Sequence, residues 1–340
     1  MTDPVHIKKE IAGECRVSVI VPNHNGAETI ALCLEALLAS HHDSYEIIVV
    51  DDCSSDNSVA IIKEYPCRLI RMDAHGGAAA ARNLGARNSR GRTLFFTDSD
   101  CLVLPETLTL AEQAVLLAEP HTIIGGTYTC RPHDPGFFSL FQSVFIHYSE
   151  LKNPENPDYI ATHAMALDAS TFRNSGGFRE DFLPILEDVE FSHRLKQQGC
   201  RLRMRPEILV RHFFGFSLAS SMANGYRKAK FWTRYSLLHK DLLTDSGTAS
   251  FELKISVILF HVFALLAVGW LLMPDAIPPA ALLVPLFINL LVCQGMLELF
   301  HATGGMKLAL GAASYFTLLY PLAVGAGALT GIAFRGQTSS

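Results

Sequence analysis

Residues 255–334 carry almost no ionisable side chains, whereas the residues before them mix charges, turn formers and short apolar runs. A stretch this apolar cannot be hydrated on all sides, so it must be covered by protein or by lipid. Residues 255–273 are long enough to cross a hydrocarbon core, which takes about 20 apolar residues. Pro274-Asp275-Ala276-Ile277-Pro278-Pro279 reads as a tight turn, residues 280–297 as a span back, residues 301–307 as a polar loop, and residues 308–333 as a third span. The expected division is a soluble domain over residues 15–213, a helical linker over 214–254 and about three transmembrane helices over 255–334. The linker sets Arg227, Lys228, Lys230, Arg234 and Lys240 among Tyr226, Phe231, Trp232 and Tyr235, a pattern suited to the membrane interface. Lys254 and Lys307 on one side and Asp275 on the other put the soluble domain in the cytoplasm, with Arg335 counting against this orientation or against three spans.

Other compositional features narrow the class. The net charge of −5 shows no broad basic excess, so nucleic acid is not an expected partner. Eight cysteines are scattered singly without C-x-x-C spacing and read as reduced, mostly buried thiols. Residues 1–14 are polar and lack the apolar core of a signal peptide.

Within the soluble part, strand and helix signals alternate with short connections, the pattern of a parallel α/β sheet. Strands are expected at 17–22, 45–50, 68–72, 93–97, 122–129 and 159–167, with two short ones at 201–204 and 208–212. Helices are expected over 27–40, from about 57 to 65, over 78–89, from 105, and over 185–198, closed by Gly199. Residues 131–157, with Pro, Gly and several aromatics, read as a helix with mobile flanks or a substrate-covering loop.

Thr93-Leu94-Phe95-Phe96-Thr97 is an apolar run that ends in Asp98-Ser99-Asp100. In an open α/β sheet, ligands bind beyond the carboxyl ends of the strands, so both carboxylates should sit at that edge and share a divalent cation. Carboxylates and phosphate oxygens suit Mg²⁺ or Mn²⁺. Asp51-Asp52 ends the second strand and should face the same crevice, and Glu187-Asp188-Val189-Glu190 opens a later helix. Acid clusters gathered on an anionic ligand need a cation between them, and a nucleoside diphosphate with Mg²⁺ or Mn²⁺ meets that requirement. The strand ending at Pro22, with Asp52 beside it, can hold base and ribose. Neither G-x-G-x-x-G nor G-x-x-x-x-G-K-[ST] is present, so classical dinucleotide and ATP-hydrolysing sites are poor readings.

Ser18-Val19-Ile20-Val21-Pro22, Val50-Asp51-Asp52-Cys53-Ser54-Ser55-Asp56, Ala80-Ala81-Arg82-Asn83, Asp98-Ser99-Asp100 and Gly177-Phe178 followed by Glu187-Asp188 occur in this order. Over residues 17–212 they resemble glycosyltransferase family 2, inverting enzymes of the GT-A fold, and most of all its membrane-tailed bacterial exopolysaccharide members of the succinoglycan type. The resemblance implies a nucleotide-diphospho-sugar transferase domain, Rossmann-like with a mostly parallel sheet, followed by a helical transmembrane region. It implies that Pro22, Asn25, Asp52, Arg82 and Asp98 bind the nucleotide sugar. It also implies that Asp100, Asp98 and His212 hold the metal, and that Asp188 is the catalytic base with Glu187 beside it. Processive synthases of that family carry Q-x-x-R-W, whereas residues 224–232 read Asn-Gly-Tyr-Arg-Lys-Ala-Lys-Phe-Trp. That departure favours transfer of one sugar per encounter.

The expected protein is therefore a multi-pass enzyme of the bacterial inner membrane. It would move a sugar from a nucleotide-diphospho-sugar to a lipid-linked or membrane-proximal acceptor in cell-surface polysaccharide synthesis, with membrane lipids as further partners. Two alternatives are a transferase that loads a polyprenyl monophosphate and a non-catalytic nucleotide-sugar-binding membrane protein.

Overall fold

The computed structural model describes residues 15–333; the amino-terminal stretch 1–14 and Arg335 of the readings above lie outside the described residues. The chain begins with β1 (Val17–Asn23), α1 (Ile30–Leu38), β2 (Tyr45–Asp51), α2 (Ser58–Ile62), β3 (Arg68–Arg71), α3 (Gly77–Arg87) and β4 (Thr93–Phe96). It continues with β5 (Cys101–Val103), α4 (Thr107–Leu117), β6 (Thr122–Tyr128), α5 (Phe137–Glu150), β7 (Met165–Asp168), α6 (Ala169–Asn174), α7 (Glu187–Gln197) and β8 (Arg201–His212). The helical end comprises α8 (Leu218–His239), α9 (Phe251–Leu272), α10 (Ala280–Val292), α11 (Gln294–Ser314) and α12 (Tyr320–Ala333).

All eight strands form one sheet in the order β3-β2-β1-β4-β7-β6-β8-β5. β1, β2, β3 and β4 pair in parallel through crossover helices, as the alternating pattern predicts. Beyond β4 the sheet turns mixed: β7 enters antiparallel between β4 and β6, and β5 runs antiparallel to β8. Ile20, Ile48, Val49, Phe95 and Phe96 are fully buried, because a strand in mid-sheet with helices on both faces has no solvent side. The register pairs Asn23 with Asp51, so the ends of β1 and β2 and the turn after β4 open on one edge.

Several local expectations change. The strand read over 159–167 shrinks to β7, preceded by a 3₁₀ turn at Thr162–Ala164. The two strands at 201–204 and 208–212 are one, β8, whose pairing with β6 shifts register around Pro206. A proline has no N–H to give the ladder, so it sits at the irregularity. The ambiguous segment 131–157 holds a 14-residue helix, α5. Its Phe141 packs 4.8 Å from Tyr315 and 5.4 Å from Phe300, joining the sheet domain to the helical end.

That end also differs from three regular spans. Two helical runs are long and apolar enough to cross a membrane, Phe251–Leu272 and Gln294–Ala333. The expected middle span is cut short as α10, 13 residues and therefore about 20 Å long, against a hydrocarbon core of about 30 Å. The polar loop expected at 301–307 narrows to a kink at Gly304-Gly305, where φ of +74° at Gly305 suits a residue without Cβ. Buried Asn289 of α10 donates to Ser256 Oγ at 3.1 Å and Thr317 Oγ1 at 3.0 Å, which ties α10 to α9 and to the π-turn before α12. Leu265, Leu271, Leu272 and Leu283 stand 64–75 % exposed. A continuous apolar surface of this kind calls for lipid or another protein.

The linker helix α8 packs in part on the sheet domain. It opens with a capping box on Ser217 and turns Trp232 and Tyr235 inward against the sheet domain, where Tyr235 Oη lies 2.7 Å from His193 Nδ1. Those two aromatics are core residues and do not belong to a lipid-facing belt.

Candidate active site

Two cavities meet at the strand ends. One, of about 260 Å³, is lined by Pro22, His24, Asp52, Asp98, Ser99 and Asp100 among others. The second, of about 400 Å³, runs from Asp98 past His163, Glu187 and Asp188 to Lys228 and Trp232 of α8. Ala78, Arg82 and Asp98 line both.

Arg82 forms the partition. It projects from α3, is 4 % exposed, and donates from Nη2 to Asp98 Oδ1 at 2.7 Å and from Nη1 to Glu187 Oε1 at 2.6 Å. Burial alone would raise the Asp98 pKa, but the Arg82 guanidinium reverses this and holds Asp98 below the usual carboxylate range. Asp98 thus stays ionised with one oxygen committed.

Asp52 is 2 % exposed and accepts from the N–H groups of Gly76 and Gly77, both at 2.8 Å. His75 Nδ1 adds a contact at 2.9 Å, and His24 Nδ1 lies 2.6 Å from the Asp52 carbonyl. The carboxylate therefore fixes the loop at the start of α3, and His24, whose ring lies 4.7 Å from that of His75, lines the smaller cavity. Asn25 lies apart from both cavities. At φ +53° it is a turn residue, its Oδ1 accepts from Ser55 N–H at 2.8 Å, and it lines neither cavity.

Asp100 and His212 come together because Cys101 of β5 pairs with His212 of β8. His212 Nε2 lies 3.4 Å from Asp100 Oδ2. Burial drives the His212 pKa down to about 3, which leaves the imidazole neutral with a lone pair to offer. Burial and the neighbouring Asp98 push Asp100 up to about 7. Two acids and a neutral imidazole crowded together in this way fit a divalent cation, which would relieve the repulsion that raises Asp100. Cys101 Sγ shares the cluster, but a buried thiol is a poor ligand for a hard ion.

Asp188 lies in the first turn of α7, whose N-terminal dipole favours a carboxylate. Burial and the adjacent Glu187 nevertheless raise its pKa to about 6, within range of a general base at neutral pH. The preceding residue, Leu186, takes φ +79°, a conformation costly for a leucine, and it turns the acidic pair into the larger cavity.

The structure thus brings Pro22, Asp52, Arg82, Asp98 and Asp100 to the smaller cavity and Arg82, Asp98, Glu187 and Asp188 to the larger one. Sequence reasoning had not singled out His163, Glu150 or Tyr128. His163 stacks on Tyr128 at 4.0 Å, and its Nε2 lies 3.4 Å from Glu150 Oε2. Burial would lower the His163 pKa, but Glu150 outweighs it and the ring sits above its usual value. No motif marks these residues, and tertiary packing alone brings them together.

Comparison with known proteins bears on the family and the fold. Residues 18–173 match the family described as Glycosyl transferase family 2. The chain is 30 % identical over 188 residues to an uncharacterised glycosyltransferase of Haemophilus influenzae, covering 54 % of this chain and 62 % of that protein. It is 39 % identical over 95 residues to the succinoglycan biosynthesis protein ExoO of Rhizobium meliloti, 27 % of each chain. The chain therefore spans less than two thirds of the length of these curated relatives. Its fold resembles the mannosyltransferase PcManGT of Pyrobaculum calidifontis, solved with GDP-Man and Mn²⁺. The TM-score is 0.57 at 19 % identity, over 96 % of this chain and 89 % of that one. The likeness extends to the GT-A-like mixed sheet.

Proposed function

Residues 18–173 are a glycosyltransferase family 2 domain, and on that premise we propose that the chain is a membrane-anchored, metal-dependent inverting glycosyltransferase. It transfers a sugar from a nucleoside-diphosphate sugar to a lipid-linked saccharide in cell-surface polysaccharide synthesis, with its catalytic domain on the cytoplasmic face of the bacterial inner membrane. The observation that carries this reading is the pair of cavities joined at Arg82 and Asp98, one flanked by Asp100 and the other by Asp188.

In this reading the nucleotide lies in the smaller cavity, with its base near Pro22 and Asp52 and its ribose near Asp98. Asp100 and His212, with the uncommitted oxygen of Asp98, would hold Mg²⁺ or Mn²⁺. A cation there supplies Lewis-acid stabilisation of the charge that develops on the diphosphate. The acceptor hydroxyl approaches from the larger cavity, and Asp188 takes its proton as its oxygen bonds to the anomeric carbon and that carbon's bond to the diphosphate oxygen breaks, the nucleoside diphosphate leaving with the electron pair. One displacement with one base inverts that carbon. Glu187, tied to Arg82, orients the turn that carries Asp188. The relatives' names support the reaction class, and the exposed apolar surface of α9 and α10 supports the anchor.

The test is direct. The detergent-purified full chain, given a panel of nucleotide sugars and a lipid-linked acceptor, should turn over one donor and stop when EDTA is added. Absence of transfer and of donor hydrolysis across the panel, with Mg²⁺ and Mn²⁺ present, would remove the proposal. NMR of the product's anomeric configuration decides inversion.

A further inference from the structure

A third cavity, of about 280 Å³, lies between α8, α9 and α12 and touches none of the acids. Its walls are apolar, formed in large part by Leu253, Val257 and Ile258 of α9 and Tyr320, Val324 and Ala328 of α12. Ile258 is 55 % exposed, so the groove opens sideways onto the apolar outer face of α9. At its inner end it shares Lys228, Trp232 and Thr248 with the cavity that holds Asp188.

The shared wall carries the decisive chemistry. Lys228 faces both cavities, and Arg227 lines the larger one beside it. Among the described residues neither has an ion-pair or hydrogen-bond partner. The groove's other cation, Lys254, is engaged at 2.5 Å by the Thr244 carbonyl. Burial lowers the Lys228 pKa, an effect that the charges of Asp188 and Glu150 only partly offset. An unpaired cation turned inward costs stability unless an anion comes to it.

We infer that this groove takes the hydrocarbon chain of a lipid phosphate, with the phosphate held by Lys228 and Arg227 at the mouth of the catalytic cavity. The inference rests on the transferase reading and makes it more specific. The acceptor is an amphiphile whose anionic head and apolar tail are both recognised, and its reacting hydroxyl lies close to the phosphate. An apolar tail alone has no use for the two cations. A soluble phosphate has no use for the groove.

Binding of farnesyl phosphate, farnesol and inorganic pyrophosphate to the full-length protein in detergent tests this. Farnesyl phosphate should bind at least ten times more tightly than either of the others. Lys228→Gln should erase the preference over farnesol. Ala328→Trp, which fills the groove away from the acids, should weaken farnesyl phosphate at least tenfold while leaving UDP and GDP binding intact. Val257→Trp serves the same purpose should the first groove variant fail to fold. Equal binding of farnesol and farnesyl phosphate would reduce the groove to a niche for structural lipid and overturn the inference. So would unchanged affinity in Lys228→Gln and a folded groove variant. If the lipid phosphate binds as expected and no nucleotide sugar is turned over, the transferase reading falls and the groove stands. Sugar transfer with an indifferent groove gives the reverse.

Discussion

Arg82 and Glu187, 105 positions apart in sequence, meet at 2.6 Å, and the same guanidinium holds Asp98 at 2.7 Å. This triad joins α3, the turn after β4 and the start of α7, and it forms the wall between the two cavities. Arg82→Ala leaves two carboxylates without their cation, and removing one partner of a buried pair costs about 3–5 kcal/mol. A clear fall in melting temperature is expected. Arg82→Lys keeps the charge but not the two-pronged reach, so it should stay folded and lose transfer by about 10²-fold through misplacement of the acids. Wild-type kcat in Arg82→Lys would refute the partition's role.

Asp188→Asn keeps the size of the side chain and removes its basicity. Transfer should drop by about 10²–10⁴-fold, the usual worth of a general base. Nucleotide affinity by calorimetry should stay close to wild type, because Asp188 lines the other cavity. Undiminished kcat would remove the base assignment.

The raised Asp188 pKa predicts a pH profile. With a value of about 6, the base is ionised at pH 7 and protonated progressively below pH 6, so kcat/KM should fall about tenfold per unit on the acid side. The sign for stability is opposite. The folded-state value lies above the ordinary carboxylate value, so the native state binds the proton first and Asp188's contribution to stability improves as pH falls through 6. A profile flat to pH 5 would contradict the first expectation.

The Asp100 and His212 pair, 3.4 Å apart, predicts metal dependence for the proposed transferase. EDTA should abolish transfer, and Mn²⁺ or Mg²⁺ should restore it. His212→Asn should raise the metal concentration for half-activation by at least the roughly 10–100-fold that loss of even an outer partner costs. Calorimetric titration of Mn²⁺ in the presence of nucleotide checks this without turnover.

Gly177 carries φ +76° where the chain passes Asn83, and an added Cβ would lie 2.5 Å from Asn83 Oδ1. That oxygen accepts from Phe178 N–H at 2.9 Å, while Asn83 Nδ2 donates to the Phe178 carbonyl at 2.8 Å. Gly177→Ala should cost about 1–3 kcal/mol by strain alone, read by denaturant titration, with a loss of activity as the loop before α7 shifts. Unchanged stability would show that the loop can move freely.

Much of this protein was legible from residue order. The apolar runs at 17–21, 47–50 and 94–96 dictate buried strands, because their side chains have no polar face to offer water. Parallel crossovers then bring their carboxyl ends to one edge, so Asp52, Asp98 and Asp100 were bound to meet. Helix Phe251–Leu272 was equally plain, as an apolar run long enough to cross a hydrocarbon core of about 30 Å. Tertiary structure alone decided the rest. Asn25 sits in a turn at φ +53°, with its Oδ1 bonded to Ser55 N–H, a placement that its neighbours in sequence do not reveal. Arg82 joins Asp98 of the turn after β4 to Glu187, which α7 brings to it from 105 positions away, a long-range pairing that no local pattern encodes. Lys228 belongs to a helix whose composition suggests a membrane surface, yet the packing of α8 against α12 turns that one cation inward. Local propensity depends on a few neighbours along the chain, whereas the direction a side chain faces depends on every element packed around it.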